Sequence, residues 1–379
     1  MNNDPKIFYR RYRPNKIVSC LLLASVLFIA CKHSNGKGKT VKEQKDTSAH
    51  VNKLKPLVHA SDTALYNLLI LHMLIHDESA KPKQLTLDTA LYNSLIMAMV
   101  HNKPTDKWPV KTAYPLPGAI LPFHRILAYY GNYYNGKMGI LGELPPDEML
   151  AKLKGEVKHW SDADSLTPVL PALQYIVVSA QHEPGKAKKY RLRMPFTQID
   201  KTLELAKKIN AIVILDVQVG WGTVQEEIPA LEPYLKLPNV HLAIDPEFSM
   251  KNKRRPGSTI GTMDASDINF ASEYLAKLVK EYHIPPKVLV VHRFTKDMLT
   301  NYKRIITRPE VQIVINMDGF GFPAKKINSY KLAVVNEPVQ FPGIKLFYKN
   351  DITYSDRKYI MQPDEVLKLY PRPVYIQYQ

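Results

Sequence analysis

"HLAIDPEF", residues 241–248, opens as a buried strand and ends in two carboxylates, Asp245 and Glu247, separated by Pro246. Residues two apart in a strand point to one face. Both acids are therefore expected to project the same way from the end of an apolar strand. The same pattern of an apolar run turning polar at its C-terminal end recurs along the chain. It is found in "RILAYYGN" (125–132), "ALQYIVVSAQ" (172–181), "AIVILDVQ" (211–218), "KVLVVHRF" (287–294), "VQIVINMDG" (311–319), "IKLFYKND" (344–351) and "PVYIQYQ" (373–379). Near-continuous Val/Ile/Leu runs suit parallel strands buried on both faces. Amphipathic stretches such as "PDEMLAKLKGEVKHW", "TQIDKTLELAKKIN" and "DASDINFASEYLAKLVKEYH" lie between most of them, the last with Asp264 as its N-cap. Eight strands in βα alternation over about 260 residues predict an α/β fold, a (β/α)8 TIM-like barrel spanning 111–379. An open doubly wound sheet would call for a glycine-rich phosphate turn after the first strand. "YYGNYYNGKMG" holds no G-x-G-x-x-G.

The N-terminal residues read differently. Residues 1–16 carry five Lys/Arg against one Asp, and an apolar run, "IVSCLLLASVLFIA", extends from Ile17 to Ala30. At 14 residues the run is short for a membrane span of about 20. It ends at Ala30-Cys31, and "LFIAC" resembles the lipobox of bacterial lipoproteins, with Phe28 where an aliphatic residue is usual. The resemblance implies a signal peptide over 1–30, cleavage before Cys31 and a membrane anchor through lipid on Cys31. An uncleaved anchor helix is the competing reading. Lys32 after the cysteine, in place of the Asp that signals inner-membrane retention, points to the outer membrane. With Cys20 in the signal and Cys31 lipidated, no thiol remains for a disulfide, a metal site or a nucleophile.

Residues 31–58 are Lys-, Ser- and Asn-rich without periodicity and read as a flexible tether. Over 59–110, "DTALYNLLI" (62–70) recurs as "DTALYNSLI" (88–96), each opening on a capping Asp-Thr, and the pair predicts a helical hairpin. Net charge is +17; the signal accounts for +4, which leaves +13 on the rest. That surplus suits anionic lipid or an acidic polysaccharide. No zinc-finger spacing or RNA-binding signature is present, so nucleic acid is not expected as a partner.

Chemistry in such a barrel sits at the C-terminal strand ends. They supply Tyr130, Asn132, Tyr133 and Tyr134 from the first strand, then Gln181, His182 and Glu183 from the second. Asp216, Gln218 and Trp221 follow the third, and Asp245 and Glu247 the fourth. His292 and Arg293, Asn316 and Asp318, Lys349 and Asp351, then Gln377 and Gln379 complete the set. Two neighbouring carboxyls cannot both ionise freely, so one is expected to hold a proton near neutrality. Glycosidic-bond cleavage needs such a general acid. Glu247 is assigned that role, with Asp245 ionised beside it and Asp216 and Asp318 as further candidate acids. Tyr130, Asn132, Gln181, Gln218, Trp221, His292 and Lys349 are the expected substrate contacts, the aromatic rings stacking on sugar faces. The D-P-E ending resembles the D-x-E close of chitinase-like family 18 barrels, although Ala243 stands where those have a further Asp.

A longer resemblance runs from about 120 to 379. "MGILGE" (138–143), "VILDVQVG" (213–220), "LAIDPEF" (242–248), "IGTMDASDIN" (260–269), "PPKVLVVHRF" (285–294), "MDGFG" (317–321) and "PVYIQYQ" carry it. It is similar to a family of exported barrel lipoproteins common in actinobacteria, and implies one barrel domain without assigning an activity. The basic stretch "KNKRRPG" (251–257) after the fourth strand is expected to overhang the mouth and attract an anionic glycan.

The leading expectation is thus a lipid-anchored, glycoside hydrolase-like barrel with no cofactor. Two alternatives stand beside it. One is a metal-dependent hydrolase built on His182, Asp216, Asp245, His292 and Asp318. The other is a non-catalytic glycan-binding lipoprotein. G-x-S-x-G and H-E-x-x-H are absent.

Overall fold

The computed structural model describes residues 86–353 and 359–379. The signal, the tether and the first copy of the repeat fall outside them. Eight parallel strands form a closed barrel. They are β1 (Arg125–Gly131), β2 (Val169–Ala180), β3 (Ile212–Val217), β4 (Val240–Ile244), β5 (Lys287–His292), β6 (Val311–Met317), β7 (Phe341–Leu346) and β8 (Tyr375–Tyr378). Each pairs with its neighbour in sequence, and β1 pairs with both β2 and β8, which closes the ring. Leu242 stands against Leu289 and Val290 against Val314 in the ladders. This is the expected (β/α)8 fold, and each of the eight apolar runs overlaps one of its strands.

Helices follow the strands unevenly. α1 (Thr89–Met99) precedes the barrel, and Asp88 caps it by accepting from Leu91 N at 2.8 Å. α2 (Pro146–Ala163) starts on a proline, whose missing N–H is no loss at a helix start, and has Asp147 and Glu148 against its positive end. α3 (Phe196–Lys207), α4 (Ala265–Tyr282) and α5 (Pro323–Tyr330) cover β2–β3, β4–β5 and β6–β7. α4 opens with a capping box in which Asp264 and Asp267 each take a backbone N–H. After β3 the chain makes only short helical turns over 224–235, where Pro229 and Pro233 interrupt any longer helix. After β5 two single turns replace the helix.

The N-terminal end of the barrel is plugged by residues preceding β1. Ile120 N and Leu121 N both donate to Gln312 Oε1, at 2.9 and 3.0 Å, inside the barrel floor. The stretch between α1 and this plug is also packed down. Arg372 N donates to Met99 O at 2.7 Å, and fully buried Trp108 donates from Nε1 to Val335 O at 3.0 Å. Trp108→Ala is expected to destabilise the protein by about 3–5 kcal/mol, the cost of emptying a large buried site. Urea unfolding checks it; a loss under about 1 kcal/mol would show that the segment from Met99 to Trp108 is held only at the surface.

Candidate active site

Alternation along the strands decides what the barrel holds. Tyr130 from β1, Gln174 from β2, Asp216 from β3, His292 from β5, Asn316 from β6, Lys345 from β7 and Tyr375 and Gln377 from β8 come together in its upper interior. Gly343, two residues before Lys345, stands where a Cβ would lie 2.9 Å from Val314 and 3.1 Å from both Asn316 Oδ1 and Tyr375. A side chain there would crowd the polar groups aside.

Six of these groups, all but Tyr130 and Lys345, form one hydrogen-bonded chain. Asn316 donates to Gln377 at 3.2 Å, and Gln377 to the Tyr375 hydroxyl at 3.3 Å. The hydroxyl donates to Gln174 Oε1, and Gln174 Nε2 to Asp216 Oδ2. His292 sits between two acids, Nε2 at 2.9 Å from Asp216 Oδ2 and Nδ1 at 2.9 Å from Asp318 Oδ2, with all three buried. Burial works against charge on this ring, but Asp216 and Asp318 outweigh it and raise its pKa to about 10. His292 is thus an imidazolium donating from both nitrogens. The 3.0 Å approach of Gln174 Nε2 to His292 Nε2 is then a contact between two donors that share Asp216. Asp216 Oδ1, Asn316 Oδ1 and Asp318 Oδ1 have no hydrogen-bond partner among the described residues.

Above this layer the mouth opens into a cavity of about 480 Å³. Tyr130, Gln218, Asp245, Glu247, Asp318 and Lys345 line it, together with the apolar rings of Phe248, Phe294, Phe320 and Phe347. β4 ends at Ile244, and Pro246–Phe248 form a single helical turn capped by Asp245, whose Oδ1 accepts from Glu247 N at 3.0 Å. The two acids are therefore related by a cap and not by strand alternation, because proline at the first position of the turn ends the ladder. Asp245 Oδ2 lies 3.4 Å from Gln218 Nε2, which also donates to the Tyr130 hydroxyl at 3.2 Å.

The charges within the cavity differ from expectation. Burial, reinforced by Glu247, Asp318 and Asp216, holds Asp245 well above the usual carboxylate range, although His292 draws it down. Burial thus favours the protonated form of Asp245, where its place beside Glu247 suggested the ionised one. Glu247 is pushed up to about 7, first by burial and then by Asp318, with Lys345 and His292 pulling the other way. Burial would raise Asp318 too, but the His292 hydrogen bond and charge and Lys345 bring it below the ordinary value. Among the three carboxyls lining the cavity, Asp318 is the one held below its ordinary value.

Several expected contacts lie elsewhere. Asn132 is buried and structural, donating to Ile176 O at 2.9 Å and accepting from Tyr134 N at 2.8 Å. Gln181 bonds back to Ser179 Oγ at 3.1 Å. Trp221 stacks near Tyr190, ring centroids 4.3 Å apart, and donates to Arg254 O in the 251–257 loop. Lys349 follows β7 in an exposed turn and pairs with Glu143. None of these four lines the cavity. Tyr129 points into the helix layer, hydroxyl to hydroxyl with Tyr348 at 2.9 Å, and Tyr133 stacks on Tyr175. Of the first strand's tyrosines only Tyr130 lines the cavity. His182 is exposed beside Glu183, and both nitrogens of His292 are taken by carboxylates, so the five expected metal ligands do not converge. Among the described residues no group of three or more His, Cys, Asp or Glu is placed to hold a metal ion.

Lys345 and the phenylalanines were missed as site residues. Lys345 sits inside the run "FPGIKLF", and a lysine interrupting an apolar barrel strand is itself a signal. Placing the strand's end at 349–351 moved attention past it. The glycines of "MGILGE" have a packing role: a Cβ on Gly139 would lie 2.2 Å from Tyr130 O, and one on Gly142 2.1 Å from Asn132 O. They let the loop after β1 lie directly on the strand that presents Tyr130.

No family model matches this chain, and no curated protein matches it. The actinobacterial lipoprotein resemblance therefore rests on the residues quoted for it. Among solved structures the chain is similar to a cellulase, Cel5C_n, at 12% identity over 64% of this chain and 71% of that one, TM-score 0.35. It is similar to a ruminal GH26 endo-β-1,4-mannanase at 11% identity, over 67% of this chain and 58% of that one, TM-score 0.34. It is also similar to Plasmodium falciparum HPPK-DHPS with pteroate, at 12% identity over 84% and 57% of the two chains, TM-score 0.35. At those scores the likenesses do not select a chemistry, and the barrel is established by its own strand order.

Proposed function

We propose that this protein is a glycan hydrolase anchored to the cell envelope, with Glu247 as proton donor and Asp318 as the charged partner. One observation carries the reading: carboxyls from two different strand ends, Glu247 and Asp318, share one aromatic-walled cavity at the barrel mouth. Glu247, protonated up to about pH 7, delivers its proton to the glycosidic oxygen as the bond from the anomeric carbon to that oxygen breaks. Asp318, kept ionised by His292, stabilises the positive charge developing at that carbon and takes a proton from the attacking water. Asp245 fixes the turn that carries Glu247. The phenylalanines and Tyr130 offer ring faces to the apolar side of a pyranose. The test is to screen the purified protein against a panel of polysaccharides by reducing-end release. Cleavage of a member supports the reading. Saturable binding with no cleavage of any member overturns the hydrolase and leaves a glycan-binding protein.

The anchor belongs to the same proposal. The basic n-region, the short apolar run and the Ala30-Cys31 junction support lipidation of Cys31 and, through Lys32, an outer-membrane address. Cys31→Ser is expected to move the protein from the membrane to the soluble envelope fraction. Fractionation with membrane as complete as that of wild type would remove the lipid anchor.

A further inference from the structure

Three lysines are buried among the described residues: Lys287, Lys326 and Lys345. Burying an ammonium is costly unless its three N–H donors find acceptors. Lys287 has two, donating to Val240 O at 2.9 Å and also to Leu237 O. Lys326 has them too, 3.0 Å from both Gly319 O and Asp351 Oδ2. Lys345 is different. Its Nζ lies 3.7 Å from the centre of the Tyr130 ring and 5.0 Å from that of Phe347. It makes no hydrogen bond and no close ion pair among the described residues. A ring face replaces only part of the hydration an ammonium loses.

The acids around it make no close ion pair with it, although Asp318 Oδ1 is left without a hydrogen-bond partner among the described residues. Asp318 Oδ2 serves His292, and Asp245 spends its two oxygens on Glu247 N and Gln218. Lys345 nevertheless lines the mouth cavity. Exposed Lys137 and Lys325 line the same cavity, so the entrance is positive while its deepest cation is unspent.

We propose that the substrate carries an anionic substituent, a carboxylate or a sulfate, and that Lys345 is its binding residue, with Lys137 and Lys325 at the entrance. The proposal rests on the glycan-hydrolase reading and deepens it. A charge-assisted bond of this kind is expected to favour an acidic oligosaccharide over its neutral counterpart by about 10- to 100-fold in Kd. A lysine that merely balanced Asp318 would give no such preference.

The experiment is calorimetric binding to the full-length chain carrying Glu247→Gln, which prevents turnover and keeps the cavity. The probes are uronate oligosaccharides of several linkages, their neutral methyl esters, sulfated oligosaccharides and their desulfated forms. Tighter binding of one acidic class, lost on esterification or desulfation, supports the proposal and identifies the anion. Adding Lys345→Met should bring the acidic and neutral members within about twofold, while Lys345→Arg should retain the preference. If Lys345→Met does not fold, the comparison of acidic and neutral probes on the Glu247→Gln chain alone decides. Equal binding of acidic and neutral members, or a preference unchanged by Lys345→Met, overturns the proposal and leaves the hydrolase reading standing. Failure of every probe to bind overturns both.

Discussion

Glu247→Gln is expected to lower turnover about 10²-fold or more with little change in substrate affinity. The amide keeps the shape and still fits the turn capped by Asp245, but it has no proton to give. The wild-type pH dependence follows from the same group. A general acid works only while protonated, so the rate should fall as pH rises through about 7, the value to which burial and Asp318 push Glu247. That descending limb should vanish from the residual activity of Glu247→Gln. Asp245→Asn provides the contrast. Burial favours the neutral form of Asp245, and Asn keeps an oxygen for Glu247 N, so its effect should be far smaller than that of Glu247→Gln. Steady-state rates across pH 4–10 on a cleaved polysaccharide check all three. If Glu247→Gln were as active as wild type, the proton donor would have to be sought at Asp318 or Asp216.

His292→Ala is expected to cost about 3–5 kcal/mol of stability, because it leaves Asp216 and Asp318 buried without their shared cation. The pH dependence has a definite sign. The folded pKa of about 10 lies above the ordinary 6.5, so the imidazolium contributes stability that is fully present below about pH 6.5. That contribution is lost as pH rises through about 10. The gap in unfolding free energy between wild type and His292→Ala should therefore narrow steadily from pH 6.5 to 10. Paired urea melts at each pH measure it, and a gap that widens with pH would show that His292 is neutral in the native state. The loss should also reach the site, since Asp318 depends on His292 to stay ionised beside Glu247.

The strands and their polar ends could be read from the residues because the signal is local. A run such as "KVLVVH" has to be buried on both faces wherever it lies, and eight such runs alternating with amphipathic stretches leave few architectures. Asp264 as a cap was legible for the same reason, since its neighbours in sequence create the effect. Glu247 as a raised-pKa acid was also expected, but burial and Asp318 from another strand end raise it, and not the adjacent Asp245. What depended on neighbours remote in sequence was not legible. Asp245 looked like an ionised partner, but its proton affinity is set by burial and by Asp216, His292 and Asp318 from three other strands. His292 looked like a metal ligand or substrate contact, yet two carboxylates from β3 and the end of β6 claim both its nitrogens. Trp221 and Lys349 sat correctly at strand ends and still missed the cavity, because a residue just past a strand takes its direction from the turn it enters. Lys345 was hidden by a strand placed three residues late. Strand period and hydrophobicity are properties of the chain, so the sequence by itself determined the barrel and the end that holds the polar cavity. Only closure of the ring, which sets the distances between side chains from different strands, decided which of them share charge, protons and a cavity.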